Sequence, residues 1–349
     1  MKTRHILITG SAGLVGSEAV RFYSQKGYVV YGIDNNMRKH FFGPDGDTSR
    51  VRTSLTDAYK RYHHYAIDIR DHRALTDLFR SVRFDLIIHA AGQPSHDWAA
   101  SDPLTDFDIN ARATILLLEY TRKYSPEGVF IFTSTNKVYG DEPNSLPFVE
   151  TYTRYELPKR HPFYTGINEL MPLDRTTHTV FGVSKTAADL MVQEYGRYFG
   201  LRTGVFRCGC LTGPAHRGAR QHGFLAYLVR CAKEKRPYII YGYHGKQVRD
   251  NLHVSDLVAA FDAFYQNPRA GAVYNMGGSR ASNISLVEAV AMIEHLGKIT
   301  MQTTFVDTPR TGDHQWYISD VTKFRNHYPG WRVTRTIEEI MEDLWTAVE

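Results

Sequence analysis

Gly10, Gly13 and Gly16 stand three residues apart, directly after a short apolar run at residues 6–8. Glycines in that rhythm between a strand and a helix suit one task. The first permits a tight turn, the second lets backbone approach a pyrophosphate, and the third lets helix and strand pack closely. The helix opening there aims free N–H groups and the positive end of its dipole at phosphate oxygens. Leu14 and Val15 fall inside the same turn and are assigned to the same site. Asp34 follows Gly16 by 18 residues, with Asn35 beside it. A carboxylate at that distance accepts hydrogen bonds from adenosine ribose hydroxyls and repels a 2′-phosphate. The pattern therefore favours NAD over NADP, with Arg38 the nearby cation that would favour the phosphate.

Three further points along the chain fit a dinucleotide. Asp68 and Ile69 read as the close of a third strand, where a carboxylate and an apolar neighbour either hold an adenine edge or simply end the strand. Ala90, Ala91 and Gly92 end a fourth strand, and residues this small let a cofactor come close. Asn110, on the next helix, is either a cofactor contact or an ordinary solvated side chain.

The elements that must position these residues are legible from apolar patterning. Residues 5–9, 28–34, 85–90 and 129–134 read as strands, and residues 15–26, 105–124 and 184–199 as amphipathic helices. Segment 35–65 reads as a loop plus a short helix. Short apolar strands alternating with helices imply a parallel sheet covered on both faces, an α/β doubly wound Rossmann architecture. After Gly213 the pattern turns irregular and rich in Gly and Pro. The expected division is a dinucleotide-binding domain at 1–213, with strands near 248–262 returning to the sheet, and a smaller substrate-binding region at 214–349.

Composition narrows the function. The chain has 349 residues, 42% hydrophobic and 23% charged, with a net charge of +5 that is spread rather than clustered. A nucleic-acid partner is not expected, because that needs a basic stripe. Three cysteines make no disulfide framework and suit a reducing, cytoplasmic compartment. No membrane span is expected. No metal is expected either, because the 16 histidines are scattered and His63-His64 lacks companion carboxylates.

Other motifs complete the pattern: His89-Ala-Ala-Gly92, Thr133-Ser-Thr-Asn-Lys-Val-Tyr-Gly140, Lys185, Val248-Arg-Asp-Asn-Leu-His-Val254 and Pro309-Arg-Thr-Gly-Asp313. With the glycine turn and Asp34, they resemble the extended short-chain dehydrogenases/reductases, the sugar-nucleotide epimerases and dehydratases, over nearly the whole chain. Within that family, segments 134–141 and 182–189 are most similar to the 2-epimerases of CDP-linked sugars.

The resemblance implies NAD held tightly, a nucleotide-diphosphate sugar as substrate with a CDP-hexose favoured, and a homodimer, with helices 105–124 and 184–199 either packing four together between copies or covering the sheet. It implies transient oxidation of a ring carbon, then epimerisation and reduction. It places Thr133 among the cofactor contacts, Thr135 as the hydroxyl facing a sugar oxygen, and Lys185 on the nicotinamide ribose. Arg249 would meet the pyrophosphate, with Arg310 near the nucleotide. Gln93, Ser95, His96, Asn136 and Lys137 fall where members contact the sugar, with Trp98 nearby. His216, Arg217, Arg220 and Gln221 are polar candidates beside the loop 209–214. A 4-epimerase or 4,6-dehydratase is the rival, although dehydratases carry Asp and Glu where Asn136 and Lys137 stand.

One departure is sharp. Family members carry Tyr four residues before the lysine, and this chain has Phe181. A phenyl ring keeps the packing and has no titratable proton. Three accounts stay open: a substitution that traps a substrate complex, another group such as Tyr164, His178 or Tyr139 in the phenol's place, or a silent NAD and nucleotide-sugar sensor.

Overall fold

Residues 3–348, apart from Arg217 and 219–222, are described by the computed structural model. Seven strands form one sheet: β1 (His5–Thr9), β2 (Val29–Ile33), β3 (Tyr62–Tyr65), β4 (Leu86–His89), β5 (Val129–Thr135), β6 (Arg202–Cys208) and β7 (Ala272–Met276). Their order is β7-β6-β5-β4-β1-β2-β3. β1 to β5 pair in parallel, and helices flank the sheet in the doubly wound arrangement expected. The register sets Thr9 beside Ile33 and His89, and His89 beside Phe132. The residues that follow, Gly10, Asp34, Ala90 and Thr133, therefore share one edge, the carboxyl end of the strands.

The chain divides into two compact units. The first comprises residues 1–135, 180–207 and 257–274, and the second residues 136–179, 208–256 and 275–349. The division is thus interleaved and not a single point near 213. The first unit's core joins strand residues Leu7, Ile33, Ile87, Phe130 and Phe132 to Leu117, Ala188 and Val192 from helices.

The second unit has its own core and sheets. Val248–His253 pairs with Asn283–Ser285, Trp316–Tyr317 and Cys210–Thr212. Tyr238–Tyr241 pairs in parallel with Thr303–Val306. Helices Phe224–Lys233, Leu286–Gly297 and Ile337–Ala347 pack over an apolar cluster that includes Leu228, Ile293 and Ile340. Segment 248–262 therefore does not return to the large sheet. Its strand is buried from end to end, which satisfies either sheet, and the strand that returns is Ala272–Met276.

Local differences have physical causes. Segment 35–65 forms a helix Met37–Phe42, a helix Ser49–Ala58 and β3. The helix Ser49–Ala58 buries only Leu55, so no apolar period announces it. The expected continuous helix 105–124 is instead Pro103–Phe107, a π turn at Asp108–Arg112, and Ala113–Tyr124. The long helix Val180–Phe199 starts four residues earlier than its periodicity indicates.

Candidate active site

The glycine turn is built as its spacing requires. Gly10 has φ +68°, and a Cβ there would lie 2.8 Å from the Ala91 nitrogen. A Cβ on Gly16 would lie 2.1 Å from the Gly10 oxygen, so only glycine lets the helix meet the turn. At Gly13 only the Gly10 oxygen would meet a Cβ, at 3.3 Å, which leaves the approach to the helix N-terminus open. Leu14 and Val15 begin that helix.

Asp34 stands one residue past β2. One carboxylate oxygen accepts from the Ala12 N–H at 3.0 Å and the other from the Asn36 N–H at 2.8 Å, so Asp34 ties the glycine turn to the strand end. Arg38 lies with its guanidinium 4.7 Å from the Phe42 ring centre. Asp68 is not at the end of β3 but three residues beyond it, in a turn. Arg70 grips its carboxylate with two nitrogens at 3.0 and 2.7 Å. Burial opposes ionisation, yet Arg70 holds the Asp68 carboxyl below its usual range. Asn35 also donates to Asp68, at 3.2 Å. Ile69 is buried in the first unit's core.

His89 anchors the next segment. Its Nδ1 lies 2.7 Å from Thr9 Oγ1 and its Nε2 3.0 Å from Thr114 Oγ1. Thr114 donates to the Asn110 carbonyl, so it accepts the His89 Nε2 proton, and Nδ1 accepts from Thr9. The same Thr9 oxygen accepts the Ala91 N–H. Burial first, and the Lys185 charge second, hold His89 down at about 3.

This has a measurable consequence. An unfolded histidine takes a proton near 6.5, while folded His89 resists until about 3. The stability it confers is complete above pH 6.5 and drains away as pH falls towards 3. Between pH 7.5 and pH 5 this one group should cost about 2 kcal/mol. Urea unfolding of the wild type and His89→Gln at both pH values checks it, because the variant should lose less on acidification.

Asn110 is not a solvated helix residue. The π turn carries it inward, where its Oδ1 accepts from the Gln93 N–H at 2.9 Å. Its Nδ2 donates to the Gln93 carbonyl, Asp106 and Ser184. Gln93 and Ser95, expected to face a sugar, are buried and spent on their own turn. Gln93 Nε2 donates to the Ser95 carbonyl and to Asp106, its Oε1 accepts from the Ser95 N–H, and Ser95 Oγ accepts from Trp98. Burial pushes the Asp106 carboxyl up within this network.

Lys185, buried on the long helix, donates from Nζ to the Thr133 carbonyl at 2.9 Å and sits 4.1 Å from the Phe132 ring centre. A Cβ on Gly92 would come within 4.0 Å of that Nζ and 3.0 Å of Asn110 Oδ1, so the glycine keeps a cradle open between them. Thr133 Oγ1 is buried without a hydrogen-bond partner among the described residues. The glycine turn, Asp34, the Gly92 cradle and this hydroxyl fit a dinucleotide. One turn beyond Lys185, Asp189 accepts from Ser134, Gln193 and Arg207, with the Arg207 nitrogens at 3.0 and 2.9 Å. This satisfied buried pair fixes the long helix to β5 and β6, and only the fold could reveal it. Thr135 ends β5, half-buried, and Phe181 is 5% exposed.

In the second unit Arg249 is buried and pairs with Asp313, while also donating to the Val248 carbonyl at 2.8 Å. Lys137 Nζ donates to the Gly312 carbonyl at 2.9 Å, and burial lowers its ammonium to about 8. Burial works against the Asp313 carboxylate, but Arg249 and Lys137 hold it below the usual range. Arg310 lies 4.6 Å from the Tyr241 ring centre. Asn136 is buried at the start of this unit.

Of the groups named as stand-ins for a phenol, Tyr139 and His178 have hydrogen-bond partners for their polar atoms, and Tyr164 packs its ring against a guanidinium. Tyr139 donates to Asn275 at 2.7 Å, His178 Nε2 meets the Val138 carbonyl at 2.8 Å, and Arg280 lies over the Tyr164 ring. Arg217, Arg220 and Gln221 lie outside the described residues. Among the described residues no cluster of His, Cys, Asp and Glu could hold a metal ion, and no helix is long and apolar enough to cross a membrane.

A Rossmann sheet, a glycine turn and a buried lysine below the β5 edge define a nucleotide-dependent α/β enzyme class. The chain belongs to the NAD dependent epimerase/dehydratase family, whose profile matches residues 6–277. It is 32% identical to CDP-paratose 2-epimerase of Salmonella typhi over 328 residues, 92% of each chain. It is 29% identical to dTDP-glucose 4,6-dehydratase of Salmonella typhimurium, over 95% of this chain and 89% of the relative. The fold also matches two solved structures. One is dTDP-glucose 4,6-dehydratase from Bacillus anthracis in complex with NAD, with TM-score 0.78, 24% identity and coverage of 99% and 96%. The other is UDP-glucose 4-epimerase from Bifidobacterium longum in complex with NAD+ and UDP, with TM-score 0.79, 22% identity and coverage of 98% and 97%.

Proposed function

We propose that the chain epimerises a nucleotide-diphosphate sugar, with a CDP-linked hexose the favoured substrate and NAD the cofactor. The observation that carries this is the Lys185 ammonium, held by the Thr133 carbonyl beside the open Gly92 cradle on the edge that bears the glycine turn. NAD, when bound, supplies a site that takes a hydride from a sugar carbon and returns it to the other face. The protein does the rest. Gly10 to Gly16 receive the pyrophosphate on backbone N–H groups, Asp34 receives the adenosine ribose, and Lys185 the nicotinamide ribose. Thr135 offers its hydroxyl to a sugar oxygen. Arg249 and Arg310 take the substrate's phosphates, since a planar guanidinium donates to two oxygens in parallel. Asn136 and Lys137, in place of an Asp-Glu pair, support epimerisation over elimination. Phe181 holds no proton, so the acceptor lies elsewhere.

A homodimer accompanies this reading. Within the first unit Leu104, Phe107, Val183 and Leu190 are exposed on helices that touch each other, an apolar surface that a second copy would cover. A cytoplasmic location suits three cysteines that form no disulfide.

Denaturing the purified protein should release about one NAD per chain, and incubation with CDP-, UDP- and dTDP-hexoses should yield a new epimer by NMR. Retention of no pyridine nucleotide and turnover of none of these sugars would end the reading. Arg249→Met should weaken sugar-nucleotide binding ~30-fold or more, because it also leaves the half-buried Asp313 without its guanidinium partner. Calorimetric titration with CDP checks this, with bound NAD unchanged as the control.

A further inference from the structure

We propose that the imidazole of His96 takes and returns the sugar hydroxyl proton, the task that Phe181 cannot perform. The proposal rests on the epimerase reading above. The His96 ring meets the Phe181 ring edge to face, with centroids 4.9 Å apart and planes at 68°. Replacing a phenol by phenyl removes a proton acceptor from this point, and the ring packed against the phenyl is itself a proton acceptor. Imidazole as a class titrates near neutral pH, so it works as a base without the nearby cation that a phenol needs.

The two rings are held together by one buried network. His96 opens the short helix His96–Ser101 directly after Ser95, whose Oγ caps that helix. The Ser95 N–H is held by Gln93, Gln93 by Asp106, and Asp106 by Asn110. Asn110 donates to Ser184 Oγ at 3.2 Å, and Ser184 donates to the Phe181 carbonyl at 3.0 Å. The chain of bonds thus runs from the backbone beside His96 to the backbone of Phe181. A base must stand within hydrogen-bond reach of the proton it takes, and this network holds the backbone that carries the imidazole.

Three neighbouring titratable groups of this unit make hydrogen bonds of their own. His89 is neutral, with both ring nitrogens in hydrogen bonds. Asp106 is buried among Gln93 and Asn110. Lys185 is the cation that donates to the Thr133 carbonyl.

The step balances. The sugar O–H bond breaks and its proton goes to an imidazole nitrogen. The electron pair left on oxygen forms the C=O bond as the hydride leaves carbon for NAD. On return the hydride rebuilds the C–H bond on the other face and the imidazolium gives its proton back to oxygen, so no atom or electron is gained or lost.

The test uses the full chain with its bound cofactor and the nucleotide sugar found above. His96→Asn should cut turnover ~10²–10⁴-fold while bound NAD stays the same. Adding imidazole should restore part of the activity of His96→Gly, and Phe181→Tyr should do so within the His96→Asn background. Alone, Phe181→Tyr should change turnover less than about tenfold, since the base is already present. The proposal is overturned if His96→Asn turns over at the wild-type rate, if neither imidazole nor the added phenol restores a slow variant, or if Phe181→Tyr alone raises the rate several hundredfold. Those results leave the epimerase reading standing. Absence of turnover in the unaltered chain ends both.

Discussion

Lys185→Met should lower turnover ~10²–10³-fold, the loss expected when one preorganised donor is removed from a reaction site. Met matches the length and apolar stem of Lys, so the variant tests the ammonium and not the packing. In the protein that ammonium donates to the Thr133 carbonyl at 2.9 Å and faces the Phe132 ring. Its loss leaves the Thr133 carbonyl beside an oxygen, Thr133 Oγ1, that already lacks a partner among the described residues. A second readout is independent of substrate. The Lys185 charge is one of two causes that depress His89, so without it the His89 pKa should rise, though burial keeps it below its ordinary value. NMR titration of the imidazole in the wild type and the variant measures this. An unchanged rate with an unchanged His89 would remove Lys185 from the site.

Gly16→Ala should abolish NAD retention and weaken the fold. The added Cβ would sit 2.1 Å from the Gly10 oxygen, 2.7 Å from the Gly10 carbonyl carbon and 2.7 Å from the Ser11 Cα. All three are backbone atoms, so no rotamer change relieves the overlap. Either the helix Leu14–Gln25 retreats or the turn does, and both displace the N–H groups that receive a pyrophosphate. The turn is also pinned from the other side, since the Gly10 and Ser11 N–H groups donate to the Ile33 carbonyl at 2.8 and 3.2 Å. A stability loss of ~1–3 kcal/mol is the usual cost of such overpacking. Absorbance of cofactor released on denaturation, together with the urea midpoint, checks both effects. A variant that still carries full cofactor would refute the role given to the turn.

What could be seen in the sequence was local. Gly10, Gly13, Gly16, Asp34 and Ala90 to Gly92 follow strands directly, so their spacing carries the strand–turn–helix geometry with it. Lys185 and its missing phenol share one helix turn. Asn110 was a candidate contact, but its inward placement was hidden because no periodicity marks the π turn that carries it. Gln93 and Ser95 look like polar loop residues, and only packing shows that they bond each other and Asp106. The Asp189–Arg207 pair joins residues 18 apart that read separately as a helix charge and a strand charge. For Val248–His253, a strand was expected to return to the large sheet, and only the pairing shows that it enters the second unit's sheet.

The π turn at Asp108–Arg112 makes this stretch sensitive to length more than to identity. One wide turn holds a residue that an ordinary helical path would not accommodate. Deleting a single residue there would let regular i to i+4 bonding resume, a local gain. It would also swing Asn110 by about 100°, off the Gln93 backbone and Ser184 together. Single-residue deletions scanned through 103–124 should therefore be worst tolerated at the one place where the helix itself would become more regular.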